Sequence, residues 1–101
     1  MIAVSFIYPD REGARFDEAY YTQKHLPRVR ELWESLGLES VTPLVRVDDS
    51  QDSGPFRAIS MLYFASLEQY KNALANGGAE LIADIQNFTD IQPIAQISRQ
   101  L

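Results

Sequence analysis

Ala58-Ile59-Ser60-Met61-Leu62-Tyr63-Phe64, followed by Ala65-Ser66-Leu67, is the stretch whose reading decides the fold. Seven residues, almost all apolar and several β-branched or aromatic, read as a strand. With a period of two, Ile59, Met61 and Tyr63 point one way and Ala58, Leu62 and Phe64 the other, Ser60 being the lone polar residue among them. A strand apolar on both sides is buried on both. Ser66, with Gln69 three residues on, is a capping-box signal and predicts a helix over Leu67–Ala75. Gly77-Gly78 breaks it, Ala79–Asn87 resumes as a short helix, and Ile91–Ser98 reads as a final strand.

In the other direction, Asp48–Pro55 has loop composition and is expected to be mobile. Val41–Val47 reads as a strand whose Pro43 points to an edge or a bulge. Asp17 can cap a helix reaching Leu36, with Gly37 where a C-terminal glycine belongs and a kink or a fresh helical start expected at Pro27. Ile2–Tyr8 alternates as a first strand, with Val4, Phe6 and Tyr8 on one side and Ala3 and Ile7 on the other. The order is βαββαβ, and both crossovers carry a helix. Each is therefore expected to join parallel neighbours through a right-handed connection, in the manner of the split βαβ motif. The expected fold is α+β, a ferredoxin-like sandwich filling residues 1–101 as one domain. Two helices cannot cover both faces of four strands. The uncovered apolar face predicts a homodimer in which two sheets close into a dimeric α/β barrel.

Composition narrows the function. The 101 residues are 46% hydrophobic and 23% charged, as in ordinary globular proteins. No apolar run approaches the ~20 residues that span a bilayer, and no targeting peptide is read at the start. A formal net charge of −5 with nine scattered basic residues argues against nucleic acid. The lack of cysteine removes disulfides and thiolate chemistry and fits the cytoplasm.

His25 is the sole imidazole. Leu26, Val29, Leu32, Trp33 and Leu36 form one apolar stripe, and His25 falls roughly 40° from its middle at 3.6 residues per turn. Tyr21, one turn earlier, can touch it. Two readings stand: a packed core histidine satisfied by one polar partner, or an acid–base group at the rim of a pocket between helix and sheet. Such a pocket is expected to draw on Val4, Phe6, Leu32, Trp33, Met61 and Tyr63. Asp84 and Asn87, at the handover from the last helix to the last strand, can add polar groups at its mouth or simply serve as turn residues, the reading favoured for Asp90. No Ser/His/Asp arrangement, phosphate-binding glycine loop or zinc-protease motif accompanies the histidine.

The run Phe16-Asp17-Glu18-Ala19-Tyr20-Tyr21-Thr22-Gln23-Lys24-His25-Leu26-Pro27 resembles the F-D-x-x-Y-Y-x-x-x-H-x-P signature of the EthD family, named from an ethyl tert-butyl ether degradation system. Asp84-Ile85-Gln86-Asn87-Phe88-Thr89-Asp90 is similar to the family's D-I-x-N-[YF]-T-[ND] segment, with Phe88 where tyrosine is common. The resemblance implies a dimeric α/β barrel and the family's usual reductase or oxidoreductase label. It carries the signature histidine onto His25, with Tyr21 and Pro27 as companions. The expectation drawn from it is a small-molecule enzyme for an apolar or aromatic substrate. His25 serves as acid or base, Tyr21 orients it or donates to an oxyanion, and Phe6, Trp33, Met61, Tyr63, Asp84 and Asn87 contact the substrate. No cofactor or metal is expected, since no nicotinamide or flavin fingerprint is present. The alternatives are a non-catalytic ligand-binding accessory module and a haem-binding protein with His25 as axial ligand.

Overall fold

The computed structural model describes residues 1–101, apart from the side chain of residue 51. Strands β1 (Ile2–Pro9), β2 (Leu38–Val45), β3 (Phe56–Phe64) and β4 (Ile94–Arg99) form one sheet in the order β2-β3-β1-β4. Helices α1 (Glu18–Tyr20), α2 (Leu26–Trp33), α3 (Leu67–Ala75) and α4 (Gly78–Asp84) complete the βαββαβ order. This is the expected α+β, ferredoxin-like arrangement. One expectation fails: every neighbouring pair, β1–β3, β1–β4 and β2–β3, is antiparallel. Each crossover skips a place, so the strands it joins are separated by a third running the other way.

The termini of the elements follow local chemistry. Asp17 accepts from Tyr20 N, and Ser66 Oγ accepts from Gln69 N at 3.3 Å, each satisfying an orphan donor at a helix start. Gln69 reaches back to Ala65 N rather than to the cap residue itself. Gly37 ends the first helical region at φ 109°, where a Cβ would lie 2.9 Å from the Gln69 side chain. β2 starts at Leu38 and ends at Val45, earlier than predicted at both ends. Its place at the sheet edge accommodates Pro43, which keeps regular register opposite Ser60. β4 starts only at Ile94, because Ile91 is buried in the core cluster with Tyr8 and Phe16 and Pro93 has no N–H to donate.

At Pro27 the chain makes the fresh helical start rather than a kink. Tyr21–His25 is a π-helical turn in which Leu26 N–H reaches back five residues to Tyr21 O, and α2 begins with Pro27 in its first turn, where the missing N–H costs least. Both ends of the 48–54 loop are tied to one side chain. The Arg46 guanidinium donates to Asp48 O at 2.8 Å, Gly54 O at 3.0 Å and Asp10 Oδ2 at 2.8 Å.

All helices lie on one face. Beneath them the core divides into two clusters, one around Val4, Trp33, Phe64 and Tyr70, the other around Tyr8, Phe16, Tyr21 and Phe88. Phe6 touches both. The other face carries Ile7, Ile59, Met61 and Tyr63, half-buried, with Leu44 and Ile94 exposed. Among the described residues no helix is long and apolar enough to cross a membrane.

Candidate active site

The site grows from the seam between the two core clusters. Register sets Phe6 opposite Ser60 on β3 and opposite Ala95 on β4, so small residues flank the one large ring. Gly78 is the buried first residue of α4 above them. The space these leave is a chamber of about 260 Å³, lined by both clusters and almost wholly apolar. It opens past Leu74, Ile82 and Ala95, which are exposed.

His25 stands in its wall, 7% exposed. Its ring lies 4.7 Å from that of Phe88 and is stacked at 6.0 Å on Tyr21, centroid to centroid. Nδ1 is 2.8 Å from Asp84 Oδ2, a partner 59 residues away in sequence. Asp84 is itself held: Tyr20 donates to Oδ1 at 2.6 Å and Asn87 Nδ2 to the same oxygen at 2.9 Å. Burial pushes the Asp84 carboxyl up, but the bonds from Tyr20, Asn87 and His25 outweigh it and hold it below the ordinary carboxylate range. The His25 imidazole is held below its ordinary 6.5 by burial, with Asp84 working against that shift. At neutral pH the pair is therefore a neutral imidazole beside a carboxylate. A carboxylate only accepts, so the proton sits on Nδ1. Nε2 bonds to nothing among the described residues, yet it is not sealed off, and its lone pair is free for the chamber.

The two segments that meet here are locked by backbone. Phe16 bridges Thr89, Asp17 N–H donates to Phe88 O at 2.7 Å, and Thr89 Oγ1 donates to Arg15 O at 2.6 Å. Asp90 accepts from Arg15 N at 2.9 Å, so it braces this junction rather than serving only as a turn residue.

Of the residues picked from sequence, the structure brings together His25, Tyr21, Phe6, Trp33, Asp84 and Asn87. Phe6 and Trp33 line the chamber, while Asp84 and Asn87 lie behind the imidazole, away from the chamber lining. Tyr21 is fully buried, stacks on His25 without bonding to it, and does not line the chamber. Its hydroxyl is pushed up by burial. Ser60 tempers the rise, but the two hydroxyls do not meet in hydrogen-bond geometry and Tyr21 Oη is left without a partner. Direct oxyanion donation from Tyr21 is therefore not supported. Met61 and Tyr63 are not at this site: their β1 partners are Ser5 and Ala3, and they occupy the opposite face of the sheet. Phe88, fully buried among Tyr8, Phe16 and Tyr21, packs where a phenol would have no water.

Sequence reasoning missed Tyr20, Tyr8 and Ser60. Tyr20 stood beside the chosen tyrosine in the same motif. Ser60 was visible as the one polar residue in an apolar strand. Among the described residues no group of three or more His, Asp or Glu side chains is placed to hold a metal ion. A space of about 260 Å³ does not take a four-pyrrole haem, when a dry cavity of about 150 Å³ holds a single benzene.

A family model for the EthD domain matches residues 12–92. Among solved structures, an EthD-like protein of Ralstonia eutropha JMP134 is 37% identical, with a TM-score of 0.86 over 97% of this chain and 89% of that one. An ethyl tert-butyl ether (EthD) family protein of Bacillus halodurans C-125 is 15% identical, with a TM-score of 0.71 over 100% of this chain and 99% of that one. SnoaB, a cofactor-independent oxygenase of Streptomyces nogalater, is 12% identical, with a TM-score of 0.67 over 99% and 94%. At those two identities the likeness is one of fold. No curated protein matches the chain. The family model's span and the 37% identity over nearly the whole chain establish that this chain belongs to the EthD family.

Proposed function

We propose that this protein is a small-molecule enzyme that removes a proton from an activated carbon or hydroxyl of an apolar organic substrate, with His25 Nε2 as the base. The observation that carries this reading is the imidazole's placement. It is buried in the wall of an apolar chamber, its Nδ1–H is fixed by an ionised Asp84, and Nε2 is left free. A histidine that only packs needs one acceptor; the one here is an ionised carboxylate that Tyr20 and Asn87 also hold in place. The apolar walls leave the base poorly solvated, and the carboxylate stabilises the imidazolium as it forms. Tyr21 and Phe88 hold the ring by stacking. Tyr20 and Asn87 are positioning residues that act through Asp84. The open face bearing Ile59, Met61 and Tyr63 is the surface through which two copies would join, sheet to sheet.

The test is deuterium uptake by 2-tetralone, an uncharged two-ring ketone whose C1 methylene is doubly activated. In D₂O the protein is expected to accelerate exchange at C1 over buffer, and His25→Phe to return the rate to that of buffer while keeping the fold. Equal exchange by the two proteins overturns the acid–base role. Binding of the ketone without exchange would then favour a ligand-binding module.

A further inference from the structure

The chamber is apolar but not featureless. Tyr8, Ser60 and His25 line it together, on β1, β3 and the π-helical turn. Tyr8 sits two places from Phe6 on β1, and Ser60 is Phe6's direct partner on β3, so both side chains emerge on the helix-covered face. Tyr8 is 2% exposed and Ser60 3%, yet neither hydroxyl bonds to any described residue and neither is sealed from the chamber. Behind them Tyr21 Oη is sealed and without a partner. Buried hydroxyls are nearly always satisfied, and each one left unmade costs about 1–3 kcal/mol. Beside the free imidazole nitrogen, Tyr8 and Ser60 are two donors on the chamber wall that a guest oxygen can satisfy.

The rest of the lining sets the other half of the requirement. No Lys, Arg, Asp or Glu lines the chamber; Lys24, Arg28 and Glu80 lie on the outer side of the His25–Asp84 pair. A carboxylate or phosphate placed inside would lose its water and meet no cation. By proportion with a benzene in about 150 Å³, the roughly 260 Å³ available suits one to two rings.

We propose that Tyr8 and Ser60, beside His25 Nε2, form an oxygen-recognising end of the chamber, and that the ligand is an uncharged one- or two-ring compound whose carbonyl accepts from the two hydroxyls, or whose hydroxyl donates to Nε2, anionic analogues being refused. This rests on the reading of the chamber as the substrate site and names the substrate class for it. A ligand oxygen that draws the Ser60 proton inward also turns the serine's lone pairs toward Tyr21, so one guest satisfies the hydroxyls in front and the one behind.

Trp33, the single tryptophan, lines the chamber and donates from its indole to Asn76 O at 3.3 Å, so its one ¹⁵N–¹H indole resonance reports occupancy. The protein is titrated with 2-tetralone, with tetralin, which lacks the oxygen, and with tetralin-2-carboxylate. The ketone is expected to bind about tenfold tighter than tetralin, as one or two neutral hydrogen bonds allow, and the carboxylate to leave the indole signal in place. Tyr8→Phe and Ser60→Ala should each weaken the ketone several-fold while leaving tetralin unchanged. Equal affinity for ketone and hydrocarbon, binding of the carboxylate as tight as that of the ketone, or variants that weaken both neutral compounds alike overturns the oxygen site. If ketone and tetralin bind alike and 2-tetralone still exchanges through His25, this inference falls and the acid–base reading stands. If none of the three moves the indole signal, the chamber is not a ligand site and both fall.

Discussion

Asp84→Ala tests the core of the site, and its consequence can be worked from the contacts. Three bonds are lost, from Tyr20 at 2.6 Å, His25 at 2.8 Å and Asn87 at 2.9 Å. Asn87 is exposed and Tyr20 half-exposed, so water replaces the carboxylate for both at little cost. His25 is 7% exposed and its Nδ1–H has no such recourse. A buried donor left unmet costs about 1–3 kcal/mol, so the expected loss is roughly 2 kcal/mol. For a domain of this size each kcal/mol moves Tm by about 4–8 °C, and the variant should melt about 8–16 °C lower at pH 8. The sole imidazole gives a second readout by NMR titration. Wild-type His25 should titrate below 6.5 because burial dominates, and in the variant lower still, because Asp84 was the one influence raising it. A depressed histidine contributes stability that is present above its unfolded value and lost as pH falls through the folded one. Both proteins should therefore weaken on acidification below about pH 6.5, the value for an unfolded histidine, with the variant losing more. Asp84→Asn, which keeps an acceptor without the charge, should recover most of the stability but not the imidazole pKa. A melting point within 2 °C of wild type, with a histidine that titrates unchanged or higher, refutes the reasoning.

The same depressed imidazole makes the exchange rate with 2-tetralone flat above neutrality and falling as pH drops through the folded His25 value, which the pH–rate profile measures. Sedimentation at low micromolar concentration should show about twice the 11.5 kDa chain mass. Met61→Asp, on the open face, should yield a folded monomer, whereas Phe6→Asp, facing the helices, should lower the unfolding free energy of the fold itself, read from urea melts, by the several kcal/mol of an unpaired buried charge. Arg46→Ala should cost roughly 2 kcal/mol in urea melts, because the guanidinium, 7% exposed, ties both ends of the 48–54 loop and Asp10. Shortening that loop while keeping Asp48, Gly54 and Arg46 should cost far less, since closure entropy changes slowly with length.

What the sequence by itself determined is local. Asp17, Ser66 and Gly37 mark helix ends because each satisfies orphan backbone groups within a few residues. Alternation in 58–64 and 2–8 assigned each side chain to one of two faces, since the pleat has a period of two. The His25–Tyr21 contact was legible because four residues span one helical turn. The longer-range choices belonged to the tertiary structure. Parity within a strand says nothing about its phase against a neighbour, so only the Phe6–Ser60 register revealed that Ser60 joins the chamber while Met61 and Tyr63 turn away. Antiparallel neighbours in place of parallel ones follow from each strand slipping between two that a crossover connects. The π-helical turn before Pro27 is a backbone compromise that a regular 3.6-residue projection cannot show. Asp84 meets His25 across 59 residues because the α4 handover folds back onto the start of the first helix. Nothing in the spacing of two polar residues encodes that approach; the bridge between Phe16 and Thr89 creates it.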